Sequence, residues 1–142
     1  MSAVAAKPGE FAGRTVLVAG AAQGIGAATA QRLAGEGARL ALVDRDADLL
    51  QTVAEGLRRD GVQVHAIVLD LADVAAVDAA VAEVEDGFGA IEHLAHVAGI
   101  LRAGESLDLD LEAWEACMEV NARGPPVDAP TSSASRPSTS MP

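Results

Sequence analysis

The chain alternates between short runs of consecutive apolar residues and longer stretches in which apolar residues recur every three or four positions. Unbroken apolar runs are typical of strands buried on both faces of a parallel sheet. They predict strands at 14–19, 39–43, 63–69 and 92–98. The stretches that follow these runs have helical spacing, so strands and helices are predicted to alternate four times along the chain.

Apolar residues with helical spacing mark one face of each predicted helix. They are Ile25, Ala28 and Leu33 in the first helix, at 24–36; Leu49, Leu50, Val53 and Leu57 in the second; Val74, Val77, Val81, Val84 and Phe88 in the third; and Leu111, Trp114, Cys117 and Met118 in the fourth. Glycine often ends a helix, so Gly35 and Gly37 predict the end of the first one. Asp73 is the predicted N-cap of the third.

A βαβαβαβα order predicts an α/β protein of the Rossmann-like, three-layer α/β/α class, because right-handed crossovers wind such a chain into a parallel sheet with helices on both faces. The predicted strand order is 3-2-1-4, and a flavodoxin-like protein is the alternative. We expect a flexible segment at 1–11, a partial Rossmann domain at 12–124 and a disordered tail at 125–142. The tail is rich in Pro and Ser and has neither a helical nor a strand period.

The composition narrows the classes of partner. A net charge of −11 disfavours nucleic acid and anionic membranes, which are bound through clustered Lys and Arg. No stretch approaches the roughly 20 apolar residues of a membrane helix, and none resembles a signal peptide, so we expect a cytoplasmic protein. Cys117 is the single cysteine, and no Cys/His spacing of the metal-site type occurs, so neither an intrachain disulfide nor a metal is expected.

The first predicted strand leads into a glycine-rich turn, Gly20-x-x-x-Gly24-x-Gly26. Glycines allow a sharp turn and the close approach of a phosphate, and the helix that follows directs free N–H groups at that phosphate. The turn therefore predicts a dinucleotide site at the carboxyl ends of the strands, beside the point where the strand order reverses.

Asp44 follows the second predicted strand, 24 residues after Gly20. An acidic residue at about this interval accepts hydrogen bonds from the adenosine ribose and repels a 2′-phosphate, which predicts NAD rather than NADP. Arg45 argues the other way, because an arginine there could embrace the 2′-phosphate. The turn itself supplies only the neutral Gln23. Capping of the following helix is the alternative role for Asp44.

From about residue 11 to residue 124, the chain resembles the short-chain dehydrogenase/reductase family. Residues 19–26 match the family's Thr-Gly-x-x-x-Gly-x-Gly turn with Ala for Thr, and residues 96–99 are a degraded form of its Asn-Asn-Ala-Gly motif. Asp70 matches the family's adenine-contacting aspartate, with capping of the following helix as the alternative. Asn121 matches its catalytic-helix asparagine, with a plain helix end as the alternative. The turn, Asp44 and this resemblance together predict an NAD site formed by Gly20, Gln23, Gly24, Ile25, Gly26, Asp44, Arg45, Asp70, Leu71, Ala98 and Gly99.

Within the family, residues 98–104, Trp114 and residues 120–121 are most similar to the 2,3-dihydro-2,3-dihydroxybenzoate dehydrogenases of siderophore biosynthesis. This resemblance implies NAD-dependent oxidation of a small-molecule substrate, a cyclic dihydrodiol acid, and a homo-oligomeric assembly. Arg102 is the candidate contact for the substrate carboxylate, with a solvated loop arginine as the alternative.

The groups that would move a proton in this family are not in the sequence. Family members use a serine and a Tyr-x-x-x-Lys pair on the helix after a fifth strand, whereas this chain has no tyrosine, and Lys7 is its single lysine. We therefore expect the truncated first half of such an enzyme, without strands five to seven, catalytically inactive and ending in a tail of the kind that a frameshift creates. A non-catalytic NAD-binding or partner-binding fragment is the second hypothesis.

Overall fold

The computed structural model describes residues 9–100 and 111–123, and in them strands and helices alternate as predicted. The elements are β1 (Thr15–Ala19), α1 (Gly24–Gly35), β2 (Arg39–Asp44), α2 (Ala47–Arg59), β3 (Val64–Val68), α3 (Val74–Phe88), β4 (His93–His96), α4 (Leu111–Met118) and a π-helical turn (Glu119–Arg123). Most of the predicted flexible N-terminus and the whole predicted tail at 125–142 lie outside the described residues, so the domain boundaries stay predictions.

The four strands form one parallel sheet in the order β3-β2-β1-β4, which confirms the predicted order. β1 lies inside this sheet, since Leu17 is paired with Ala41 of β2 on one side and with Leu94 of β4 on the other. From β1 the chain adds β2 and then β3 on one side of the sheet, and it then adds β4 on the other side of β1. The strand order therefore reverses at β1. Open α/β sheets bind ligands in the crevice at the carboxyl ends of the strands beside such a reversal.

Two clusters of buried residues lie on opposite faces of the sheet, as the three-layer class requires. Successive residues of a strand point to opposite faces, so neighbouring residues of β1 divide between the two clusters. The cluster on the side of α1 and α2 contains Val16, Val18, Leu40, Leu42 and Leu50, and the cluster on the side of α3 contains Leu17, Ala41, Val43, Val77 and Val84. The Rossmann-like α/β/α class is therefore confirmed.

α1 packs against the sheet through its smallest residues. Gly26 and Ala30 are buried, whereas Ile25 is 75% exposed and Ala28 is exposed as well. Ile25 and Ala28, which the helical spacing places on one side of α1 with Leu33, therefore do not belong to its buried face. The cause is the preceding turn, which brings the start of α1 so close to the main chain at Gly20 that a Cβ at position 26 would have no room.

α2 and α3 bury larger apolar residues near the predicted positions. The buried residues are Leu50, Ala54 and Leu57 in α2 and Val77, Ala80 and Val84 in α3. Leu49 and Val74, in the first turns of these helices, are exposed. Asp73 caps α3 as predicted, since its Oδ1 accepts a hydrogen bond from Ala76 N at 3.1 Å. Within the described part of the chain, no helix is both long enough and apolar enough to cross a membrane.

Candidate functional site

A cavity of about 310 Å³ opens at the carboxyl ends of the strands, next to the start of α1 and the segment after β4. It is lined by every predicted cofactor residue except Gly24. The lining residues that sequence analysis missed are Leu69, Val97, Ile100 and Val120. All four are apolar, and a sequence pattern does not distinguish an apolar residue at a cavity from one in the core.

The main chain around the turn requires glycine at two positions. Gly20 has a φ of +86°, and a Cβ there would lie 2.6 Å from the Ala98 nitrogen. A Cβ at position 26 would overlap the carbonyl oxygen of Gly20. The turn is therefore enclosed between the start of α1 and the segment after β4. Gly24 has a φ of +55° but open space around it, and it does not line the cavity.

Three consecutive N–H groups anchor the turn to the end of β2. The N–H groups of Gly20 and Ala21 both donate to Val43 O, at 2.8 and 3.2 Å. The next N–H group, that of Ala22, donates to Asp44 Oδ2 at 3.0 Å. The end of β2 therefore fixes the path of the turn before α1 begins.

α1 begins at the cavity without a side-chain cap. Gln23 occupies its N-cap position and makes no capping hydrogen bond, and the first turn contains no acidic residue. In contrast, Asp46 caps α2 and Asp73 caps α3. The first N–H groups of a helix have no partner within the helix. The start of α1 thus offers donors and the positive end of a helix dipole to an anion in the cavity.

Among the described residues that line the cavity, the ionisable side chains are two carboxylates and one guanidinium. Asp44 is half-buried, and its Oδ1 accepts a hydrogen bond from Asp46 N at 3.1 Å. Helix capping, the alternative role for Asp44, is performed by Asp46 at the start of α2. Arg45 and Asp70 are exposed, and Asp70 Oδ1 accepts from Ala72 N at 3.0 Å. Among the described residues, no cluster of three or more metal-ligating side chains occurs.

Asn121 is hydrogen-bonded to the segment after β4, which forms one wall of the cavity. Its Oδ1 accepts a hydrogen bond from Ile100 N at 2.7 Å, and its Nδ2 donates to Ile100 O at 2.8 Å. The same carboxamide lies against Gly99, where a Cβ would be 3.2 Å from Oδ1. Asn121 therefore joins the π-helical turn to the segment after β4. Its match to the family's catalytic-helix asparagine stays a prediction. Arg102, the candidate substrate contact, lies outside the described residues.

Known proteins resemble this chain over most of its length. A family model described as short chain dehydrogenase matches residues 14–127. The 2,3-dihydro-2,3-dihydroxybenzoate dehydrogenase of Bacillus subtilis is 41% identical over 112 residues, which are 79% of this chain and 43% of that protein. The D-threitol dehydrogenase of Mycolicibacterium smegmatis is 38% identical over 112 residues, with the same two shares. The chain thus spans less than half the length of these relatives.

Solved structures resemble the chain in fold as well as in sequence. A short chain dehydrogenase from Burkholderia cenocepacia, in complex with NADP, is 41% identical and has a TM-score of 0.76, over 80% of this chain and 46% of its own. A variant short-chain dehydrogenase/reductase from Serratia marcescens is 36% identical with a TM-score of 0.77, over 82% of this chain and 47% of its own. Sequence and fold therefore point to the same group of proteins.

Proposed function

Because the chain belongs to the short-chain dehydrogenase family, we propose that its cavity binds the adenosine and pyrophosphate half of a nicotinamide dinucleotide. The observation that carries this proposal is the start of α1, which has no side-chain cap and lies at the cavity, directly after the closely packed turn that contains Gly20 and Gly26. Asp44 and Asp70 line the same cavity at the ends of β2 and β3. They are the proposed contacts of the ribose and the adenine.

We propose NAD as the cofactor because of the charge at the ribose end. The Asp44 carboxylate lines the cavity, where it would accept hydrogen bonds from ribose hydroxyls and repel a 2′-phosphate. Arg45 lines the same end but is exposed, so solvent and salt screen its charge. The Burkholderia relative is described in complex with NADP. Cofactor choice in this chain therefore rests on its own residues 44 and 45.

Isothermal titration calorimetry of the full chain with NAD and with NADP tests this proposal. We expect saturable NAD binding and an NADP affinity at least tenfold weaker, a difference of about 1.4 kcal/mol. Arg45→Ala is the matched control, and it should keep the preference for NAD because the repelling carboxylate remains. A folded chain without saturable binding would contradict the dinucleotide site, and equal affinities would contradict the choice of NAD.

For the enzymatic reaction, we propose NAD-dependent oxidation of a cyclic dihydrodiol acid, 2,3-dihydro-2,3-dihydroxybenzoate, to the catechol acid in siderophore biosynthesis. The support is the 41% identity to the Bacillus subtilis dehydrogenase of that name. Arg102 is the proposed partner of the substrate carboxylate. A homo-oligomeric assembly, which the family resemblance implies, and the cytoplasmic location expected from the sequence belong to the same proposal.

The chain supplies the cofactor half of this reaction and lacks the groups for its proton transfer. Its 142 residues contain no tyrosine, and Lys7 is the single lysine. In the described part of the cavity lining, the ionisable groups are Asp44, Arg45 and Asp70, and we propose that the two carboxylates contact the adenosine. We therefore propose that this chain on its own binds the dinucleotide without oxidising a substrate.

A non-catalytic fragment that binds NAD or a partner protein is the second candidate. The observation in its favour is the outer edge of β4. Among the described residues this edge has no neighbouring strand, and Leu94 on it is 39% exposed. A chain that folds but binds neither nucleotide would favour partner binding.

A further inference from the structure

Asp44 makes contacts that its proposed role at the ribose does not need. We propose that Asp44 is also a positioning residue, which holds the glycine turn (residues 20–26) in the conformation that receives the pyrophosphate. This inference rests on the proposed dinucleotide site, and it concerns how the site is held in shape before a ligand arrives.

Only one of the three hydrogen bonds between the glycine turn and β2 depends on a side chain. Gly20 N and Ala21 N donate to Val43 O, a main-chain oxygen that any residue at position 43 would supply. Ala22 N donates to Asp44 Oδ2 at 3.0 Å. The chemical identity of residue 44 therefore decides whether the third hydrogen bond forms.

Water has little access to the N–H group that Asp44 accepts from. Ala22 is 4% exposed, and the preceding Ala21 is fully buried. A buried N–H group without a partner is unfavourable, so loss of the Asp44 carboxylate would favour turn conformations that expose Ala22 N to solvent. Such conformations displace the main chain just before Gln23, which is the N-cap residue of α1. The geometry of the proposed phosphate site therefore depends on Asp44.

The second oxygen of the same carboxylate fixes its orientation. Asp44 Oδ1 accepts from Asp46 N at 3.1 Å, and Asp46 is the N-cap of α2. One carboxylate thus joins the glycine turn to the start of α2. Each carboxylate oxygen has more than one acceptor site, so these two hydrogen bonds leave capacity for the ribose hydroxyls.

This double role limits how cofactor specificity can change. Asp44→Ala removes the charge that would repel a 2′-phosphate, but it also removes the third hydrogen bond of the turn. We expect this variant to lose affinity for NAD without gaining affinity for NADP. Asp44→Asn keeps an oxygen that can accept from Ala22 N, so it should recover part of the loss.

Two nucleotides separate the two roles of Asp44: ADP, which has both ribose hydroxyls, and 2′,3′-dideoxy-ADP, which has neither. Each is titrated by calorimetry into the full chain as wild type, Asp44→Ala, Asp44→Asn and the control Asp78→Ala, at an exposed aspartate of α3 that does not line the cavity. A ribose contact alone predicts that Asp44→Ala weakens ADP only. The positioning role predicts that it weakens dideoxy-ADP as well, by about tenfold for one charge-assisted hydrogen bond. Asp44→Asn should restore part of this affinity, and Asp78→Ala should leave it unchanged.

Amide hydrogen exchange of the free chain gives a readout that needs no ligand. Ala22 N–H should be protected in the wild type and in Asp78→Ala, and it should exchange about tenfold faster in Asp44→Ala. Equal dideoxy-ADP affinity or equal Ala22 exchange in the wild type and Asp44→Ala would overturn the positioning role and leave the dinucleotide site standing. A wild-type chain that binds neither ADP nor NAD would overturn the proposed function and, with it, the positioning role.

Discussion

Gly26 lies against main chain rather than against a side chain. A Cβ at this position would overlap the carbonyl oxygen of Gly20, and main-chain atoms cannot turn aside as a flexible side chain can. Gly20 is itself confined, because a Cβ there would lie 2.6 Å from Ala98 N. The two glycines therefore allow the close approach of α1 to the end of β1, and neither position accommodates a larger residue.

Gly26→Ala should destabilise the fold and abolish nucleotide binding together. Relief of the overlap requires a shift of α1 or of the turn, and overpacking of this kind destabilises by about 1–3 kcal/mol. We expect a lower midpoint in urea unfolding and no saturable NAD binding in calorimetry.

Gly56→Ala is the matched control for this variant. Gly56 lies inside α2, and a Cβ there would have nothing within 4 Å. Alanine is the better helix former, so this variant should be more stable than the wild type by about 0.5–1 kcal/mol and should bind NAD unchanged. Equal midpoints for Gly26→Ala and the wild type would mean that the turn is less closely packed than the structure indicates.

Single residues of the cavity could be predicted where their type or spacing is distinctive. Three glycines at fixed intervals and an aspartate at a strand end have few explanations besides a turn and a polar contact. Val97, Ile100 and Val120 line the same cavity, but a valine or isoleucine there has the same sequence signature as one in the core. Hydrogen bonds between Asn121 and Ile100 join the segments that carry Ile100 and Val120, and no local pattern reveals them.

At the scale of elements, a helix that packs through glycine and alanine lacks the regularly spaced large apolar residues from which a buried face is predicted. α1 buries Gly26 and Ala30, whereas α3 buries Val77 and Val84. The spacing of large apolar residues therefore predicts the face of α3 correctly and misplaces Ile25 of α1. Ile25 lines the cavity instead, which fits its proposed contact with the cofactor.

An ion pair joins the starts of β1 and β4. Arg14 and Glu92 form a hydrogen-bonded pair ahead of the two strands, and Glu92 N donates to Thr15 O at 3.0 Å. The hydrogen bond from the Arg14 guanidinium lowers the pKa of Glu92 below its ordinary value. Because the lowered pKa belongs to the folded state, the pair stabilises the fold above the ordinary pKa of glutamate. This contribution is lost as the pH falls through the lowered value.

Glu92→Gln should therefore be less stable than the wild type at neutral pH, and the difference should disappear in acid. Both side chains of the pair are exposed to solvent, so the effect is small and should shrink further in high salt. Urea unfolding at neutral pH and at successively lower pH values measures the difference.

Asp78→Asn is the control for this pH dependence. Asp78 is exposed on α3 and forms no ion pair with any described residue. Its substitution should leave the pH profile of stability close to that of the wild type. A difference between Glu92→Gln and the wild type that persists unchanged in acid would contradict the role of the ion pair.

At the scale of the whole molecule, the ends of four parallel strands meet at one edge of the sheet. The alternation of apolar runs and helical spacings, together with right-handed crossovers, is enough to predict the order β3-β2-β1-β4. The same rules do not predict the distances between particular atoms. The close approach of Gly20 to Ala98 and the hydrogen bond from Ala22 to Asp44 depend on main-chain geometry that only the folded chain provides.

β4 should be less protected from hydrogen exchange than β1. β1 is paired on both sides and all its residues are buried, whereas β4 is paired only with β1 among the described residues and is mostly exposed. Exchange measured by NMR should therefore show β4 amides at least about tenfold less protected than those of β1.

β3 is the comparison for this measurement, because it lies at the opposite edge but is largely half-buried. Its protection should fall between those of β1 and β4. Equal protection of β1 and β4 would contradict the expectation, and it would mean that the outer edge of β4 is covered in solution.

The missing cap of α1 makes a bound nucleotide part of the folding equilibrium. A side-chain cap stabilises a helix by about 0.5–2 kcal/mol, and α1 has none at Gln23. A pyrophosphate would offer acceptors to the same N–H groups, so ligand binding and completion of the helix become one reaction. A ligand present at a hundred times its Kd stabilises the native state by about 2.7 kcal/mol. The melting temperature of this chain would then rise with the concentration of nucleotide in solution.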